Sequence, residues 1–319
     1  MSYEPASLEL AVYLIHSDEY IKWVFDPTHP TQGRRFNNAR NLLRTLANEI
    51  DLEIVESIPR HATESELSRV HSPKYIEEVL HGNVCREWVG SRSDLSHLAS
   101  LFAGGTLVAL DSLLQGKTKL AIHFPGAKHH AQFDHSSGFC VFNDFAIAAD
   151  IASREHHLNV LILDIDGHHG DGVENLMAKN PNVVTFSVHQ KGIFPGTGNE
   201  SSRGSYYNFP LTAGASDSQL LHAVDEFINI VGARERIWDW EPNLLFFTCG
   251  ADGHEEDPLT GLAYSVDGYV EVARKIRDRF PDLPILLGGA GGYLPDTRTP
   301  EIWAKVAIEL ARKSISKSA

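Results

Sequence analysis

The stretch Val160-Leu-Ile-Leu-Asp-Ile-Asp-Gly-His-His-Gly-Asp171 carries the reading of the fold. It opens as four apolar residues with no polar alternation, as in a strand buried on both faces of a parallel sheet. It then breaks into carboxylates, imidazoles and glycines. Parallel strands align their carboxyl ends along one edge, where open α/β sheets bind ligands. A strand that ends in this chemistry predicts a layered α/β protein with its site on that edge.

Other segments repeat the pattern. Apolar runs at 8–15, 120–123, 183–188, 244–248 and 285–287 read as further buried strands. Phe36, Ala39, Leu43, Leu46 and Ile50 form one helical stripe. Thr63-x-x-Glu66 is a capping box opening a helix that Ser72-Pro73 interrupts. Helices are expected near 98–114, 144–156, 217–236, 267–280 and 300–313. With no repeat, linker or low-complexity tract, residues 1–319 read as one domain. Strands alternating with helices imply right-handed crossovers.

Composition narrows the function. The net charge of −14 argues against a nucleic-acid partner and suits a cationic substrate. Cys85, Cys140 and Cys249 are scattered, without Cys-x-x-Cys, which fits a reducing compartment. The apolar run 10–15 is too short for a signal core or a membrane span, so the cytoplasm is the expected location.

Four strand ends hold the candidate chemistry. Asp166 and His168 share one side if strand geometry persists, and Asp252 arrives from another strand end. Two carboxylates and one imidazole suit zinc, with one position open to water. His129 and His130 follow another strand, with Asp164 and Asp171 available to orient their rings. Tyr293 follows a glycine run and can donate to an oxyanion. Phe139 and Phe194 sit beside glycines in loops and can line a narrow apolar channel.

These segments resemble those of the histone deacetylase superfamily. The matching stretches are His129-His130, Gly138-Phe-Cys-Val-Phe-Asn-Asp144, 164–173, Phe194-Pro-Gly-Thr-Gly198, 250–258 and Gly288-Gly-Ala-Gly-Gly-Tyr293. They stand in the family's order and, with His29-Pro30 and His71-Ser72, span most of the chain. The resemblance implies a single-domain, three-layer arginase–deacetylase fold, with about eight parallel strands flanked by helices. It implies zinc on Asp166, His168 and Asp252, the pairs His129–Asp164 and His130–Asp171, and Tyr293 as the acting phenol. Gly138, Phe139, Phe194 and Leu259 fall at substrate positions, and Arg35 in an acetate-release cavity. A structural potassium ion would involve Asp164, Asp166, His168, Ser187 and Val188, and Asp94 is a candidate rim aspartate. The implied substrate is an acetylated lysine peptide or another acetylated amine.

Three features depart from the family pattern. Lys128 directly precedes the histidine pair, Gly167 suggests a roomier floor, and the early rim loop is short. Leu259 stands where polyamine-selective relatives carry a glutamate. Rival readings are an acetylpolyamine or small-metabolite deacetylase, a binuclear manganese ureohydrolase, and a silent acyl-lysine-binding protein. The native metal, the acyl preference and the oligomeric state stay open.

Overall fold

A computed structural model describes residues 11–201 and 204–312. Its eight strands are β1 (Val12–Ile15), β2 (Ile54–Ser57), β3 (Leu120–His123), β4 (Val160–Asp164), β5 (Val183–Gln190), β6 (Tyr206–Leu211), β7 (Leu244–Thr248) and β8 (Ile285–Gly288). They form one all-parallel sheet in the order β2-β1-β3-β8-β7-β4-β5-β6. The six apolar runs are all strands, although 8–10 lie outside the described residues. The two unexpected strands, β2 and β6, are the sheet's edges. Their residues are mostly half-buried rather than sealed on both faces, so they lack a continuous apolar run.

The helices among the described residues are α1 (Arg34–Glu49), α2 (Glu64–Leu67), α3 (Pro73–Leu80), α4 (Ser93–Leu114), α5 (Asp144–Arg154), α6 (Asp171–Met177), α7 (Asp217–Trp238), α8 (Val266–Arg279) and α9 (Arg298–Ala311). One group packs as α1–α9–α8–α7 and another as α3–α4–α5–α6, flanking the sheet. Thr63 and Glu66 make the expected capping box. Pro73, however, begins a helix rather than interrupting one. Ser72 caps α3, and Pro73 takes its first turn, where the missing N–H costs nothing. α4 is long and apolar enough to cross a membrane, yet most of its residues are buried against β1, β3, α3 and α5.

The topology positions the site. Between β3 and β4 the chain leaves a gap that β8 and β7 later fill, so β3, β8, β7 and β4 are consecutive in space. Register pairing places His123, Gly288, Thr248, Asp164 and Ser187 in one row across the sheet. The four chemically rich loops therefore leave the sheet side by side.

Candidate metal centre

Beyond β4 the strand does not persist. Asp164 Oδ1 accepts from the N–H of Asp166 (2.9 Å), and Asp166 Oδ1 accepts from the N–H of His168 (3.0 Å). These side-chain-to-backbone bonds, not strand alternation, bring residues 166 and 168 together. Asp252 lies in a short 3-10 turn, Ala251–Gly253, and its Oδ1 accepts from the N–H of Gly167 (2.8 Å). From the loop after β8, the N–H of Gly291 donates to Asp166 Oδ2 (2.7 Å). Only glycine permits that approach: a Cβ at 291 would stand 2.6 Å from Asp166 Oδ2 and 2.7 Å from Asp252 Oδ2.

Donor atoms of Asp166, His168 and Asp252 lie within 4.8 Å of one another, and all three residues are buried. Burial lifts both carboxyls, but His129 and His168 outweigh it at Asp166, which falls well below the usual range. The charge of Asp166 then pushes Asp252 further up. Burial also pulls the His168 ring down, yet the two carboxylates override it and lift its pKa to about 11. A site that draws a proton onto imidazole in this way lacks positive charge. Its donor set fits a divalent ion such as zinc.

The two histidines of the β3 loop have opposite characters. His129 Nδ1 bonds Asp164 Oδ2 (2.6 Å), and His130 Nδ1 bonds Asp171 Oδ1 (2.7 Å), the first residue of α6. Burial depresses both rings. At His129 the charges of Asp164 and Asp166 prevail and hold the pKa up at about 9. At His130, burial and the charge on His129 act together and lower it to about 4. The two rings, with centroids 4.0 Å apart, are thus pushed in opposite directions. The loop is held from α5: Asp144 accepts from the N–H groups of Ala127 (2.9 Å) and Lys128 (2.7 Å). Asn143 Nδ2 donates to Ala131 O (3.1 Å).

A tight turn and two aromatic rings stand beside these groups. Ser137 and Cys140 exchange backbone bonds (3.1 and 2.9 Å) across Gly138 and Phe139, whose φ values are +54° and +65°. Two positive φ angles in a row make a type I′ turn. A Cβ at Gly138 would meet His130 Cδ2 at 2.4 Å, so the turn packs directly against that ring. Phe194 stands edge-on to His130 (centroids 5.0 Å), and Phe139 edge-on to Tyr293 (6.0 Å). Asp257 joins two further positions, accepting from the N–H groups of Leu259 (3.0 Å) and Tyr293 (2.8 Å). Arg35, Lys128, His130, Gly138, Phe139 and Tyr293 are among the residues that line one cavity, about 310 Å³ with its open mouth.

Asp94, Gly167, Asp164 and Ser187 lie outside that cavity's lining. Asp94 is paired with Arg92 (2.8 Å) in the first turn of α4 and does not join the cavity. Gly167 does not widen the floor, because a Cβ there would stand 2.4 Å from Thr260 Cγ2, which already fills the space. Asp164, the last residue of β4, pairs in register with Ser187 inside β5. Sequence reasoning missed Glu87, which accepts from the N–H of Phe139 (2.8 Å), and Gln132, which donates to Asp171 Oδ2 (2.8 Å). It also missed the bracing role of Asp257. All three act through hydrogen bonds that leave no spacing signal.

The family model described as a histone deacetylase domain matches residues 29–310. The chain is 32% identical to the acetoin utilization protein AcuC of Bacillus subtilis (strain 168), over 93% of this chain and 81% of that protein. AcuC of Staphylococcus aureus (strain MRSA252) is 29% identical, covering 94% and 82% respectively. AcuC of Staphylococcus xylosus is 26% identical, covering 93% and 81%.

Proposed function

The chain belongs to the histone deacetylase family, and from that premise we propose that it is a zinc-dependent amide hydrolase acting on acetyl-lysine in proteins or peptides. The observation that carries this reading is the two carboxylate-held histidines, His129–Asp164 and His130–Asp171, beside a buried Asp–His–Asp group.

Asp166, His168 and Asp252 would hold the ion, which supplies Lewis acidity and an acidified water. His130, neutral and oriented by Asp171, takes a proton from the attacking water and returns it to the departing amine. His129 keeps its charge and balances the negative charge that builds beside it. Tyr293, a neutral phenol, donates to the carbonyl oxygen as it becomes an oxyanion. The C–N bond breaks, the water oxygen stays on the acyl carbon, and acetate and a free amine leave. Phe139 and Phe194 would flank the lysine stem, with Gly138 behind them. Among the described residues one three-donor group closes, which favours one ion over a binuclear ureohydrolase centre. The same reading takes the chain as one cytoplasmic catalytic domain. It includes a structural potassium ion near Asp164, Asp166, His168, Ser187 and Val188.

The test is metal content measured beside turnover of an acetyl-lysine peptide. Asp252→Asn and Asp166→Ala are expected to lose metal and activity together. Chelation should silence the wild type, and zinc should restore it. Full turnover by metal-free protein would sink the reading.

A further inference from the structure

Four elements bring one buried polar chain together behind the histidine pair. Tyr20 stands in the short 3-10 helix Asp18–Lys22, His123 ends β3, Thr106 lies in α4 and Asp144 opens α5. All four side chains are buried. Tyr20 Oη lies 3.0 Å from His123 Nε2, and His123 Nδ1 lies 2.9 Å from Thr106 Oγ1. Thr106 Oγ1 in turn meets Asp144 Oδ2. Two glycines make room for this chain. A Cβ at Gly105 would stand 2.5 Å from His123 Nε2, and one at Gly126 would stand 2.9 Å from Thr106 Oγ1.

The direction of the chain follows from its protons. Burial, with the charges of Lys128 and His16, drives the His123 pKa well below its usual value, so the ring is neutral and carries one N–H. Thr106 also has one proton to give. The two oxygens of Asp144 already take the N–H groups of Ala127 and Lys128. An ionised carboxylate only accepts, so the Thr106 hydroxyl donates to it. Thr106 Oγ1 is then left to accept from His123 Nδ1–H, and His123 Nε2 accepts from the Tyr20 hydroxyl. The reverse order would set two bare oxygens of Thr106 and Asp144 against each other, at the cost of a buried unpaired acceptor.

We propose that His123 is a positioning residue, fixed as the Nδ1–H tautomer, which acts through Thr106 and Asp144 to set the loop that carries His129 and His130. Asp144 grips that loop at the two peptides just before the histidine pair. A tilt of those peptides moves His130 relative to the Asp–His–Asp group, and a misplacement of about 1 Å can cost roughly a hundredfold in rate. The role in turnover rests on the hydrolase reading above, but the order of protons does not, so the two can fail separately.

Nitrogen-15 NMR of the full chain, with His123→Gln to assign the ring, reads the tautomer directly. A proton on Nδ1 and none on Nε2 is expected, and a proton on Nε2 overturns the proposal. Metal content, kcat and KM are then compared for wild type, Thr106→Val and Thr106→Ser with an acetyl-lysine peptide. Thr106→Val removes the hydroxyl at nearly constant volume, and its kcat is expected to fall about tenfold or more with KM and metal content unchanged. Thr106→Ser keeps the hydroxyl and should stay within about twofold of wild type. A packing defect alone would give the opposite order, since Ser deletes a buried methyl group and Val does not. Should Thr106→Val fail to fold, Thr106→Ala against Thr106→Ser isolates the same hydroxyl. A normal kcat without the hydroxyl, or an equal fall in Thr106→Ser, overturns the proposal. If the wild type does not turn over acetyl-lysine, the substrate reading falls. The ring signals of His129 and His130 then decide the positioning role, which requires them to shift in Thr106→Val and not in Thr106→Ser.

Discussion

Tyr293 keeps its proton for reasons visible around its ring. Burial raises its pKa well above the usual phenol value, and the charges of Asp252 and Asp166 push the same way, while Arg35, 5.7 Å from the ring, opposes them. A phenol held neutral can donate to an oxyanion but cannot serve as a base at neutral pH. Tyr293→Phe is therefore expected to keep its metal and fold while kcat falls about a hundredfold or more, the usual effect of losing one oxyanion donor. Near-normal kcat in that variant would show that the phenol faces elsewhere. At this scale the sequence was informative wherever chemistry clustered: Asp166, His168, Asp252 and Tyr293 each follow a strand end. It was silent on Glu87 and Asp257, which look like ordinary surface carboxylates until the fold sets a backbone N–H against each.

Between elements, His71 ties two site loops together. Its Nε2 accepts from the N–H of Asn143 (2.9 Å) and so carries no proton, and its Nδ1–H donates to Gln132 O (2.8 Å). Burial pushes the ring down to about 4. An unfolded histidine titrates near 6.5, so between pH 6.5 and 4 the unfolded chain binds a proton that the folded chain refuses. Stability should therefore fall as pH drops through that window, by up to roughly 3 kcal/mol from this ring. Urea unfolding at pH 7.5 and 4.5, on wild type and His71→Gln, checks it. The variant should be weaker at pH 7.5 but lose less on acidification, and an identical loss in both would remove His71 as the cause. Strands were legible where both faces are sealed, as in β4 and β7. They were hidden at β2 and β6, where one neighbour is missing and partial exposure permits polar residues. Short α6 went unseen because its seven residues are too few for a periodic stripe.

For the whole molecule, a net charge of −14 draws in any cationic amine, peptide or polyamine alike, so the field does not choose between them. Choice falls to Leu259, half-buried and fixed through Asp257 to the same carboxylate that holds Tyr293. An apolar side chain there accepts a methylene stem and offers no partner to a second ammonium. The expected result is higher kcat/KM for an acetyl-lysine peptide than for mono-acetylated spermidine, with Leu259→Glu shifting the ratio toward the polyamine. A wild type that prefers acetylspermidine tenfold, about 1.4 kcal/mol, would move the protein to the polyamine branch. The strand order has a consequence for synthesis as well. β8 is the last strand made, yet it sits between β3 and β7 in the middle of the sheet. Until residue 288 has left the ribosome, the nascent chain holds two part-sheets, β2-β1-β3 and β7-β4-β5-β6, with no strand to join them. Residues 166, 168 and 252 have all emerged by then, but the N–H of Gly291 that clasps Asp166 and the phenol of Tyr293 have not. No N-terminal product that ends before Tyr293 contains all the residues of the centre.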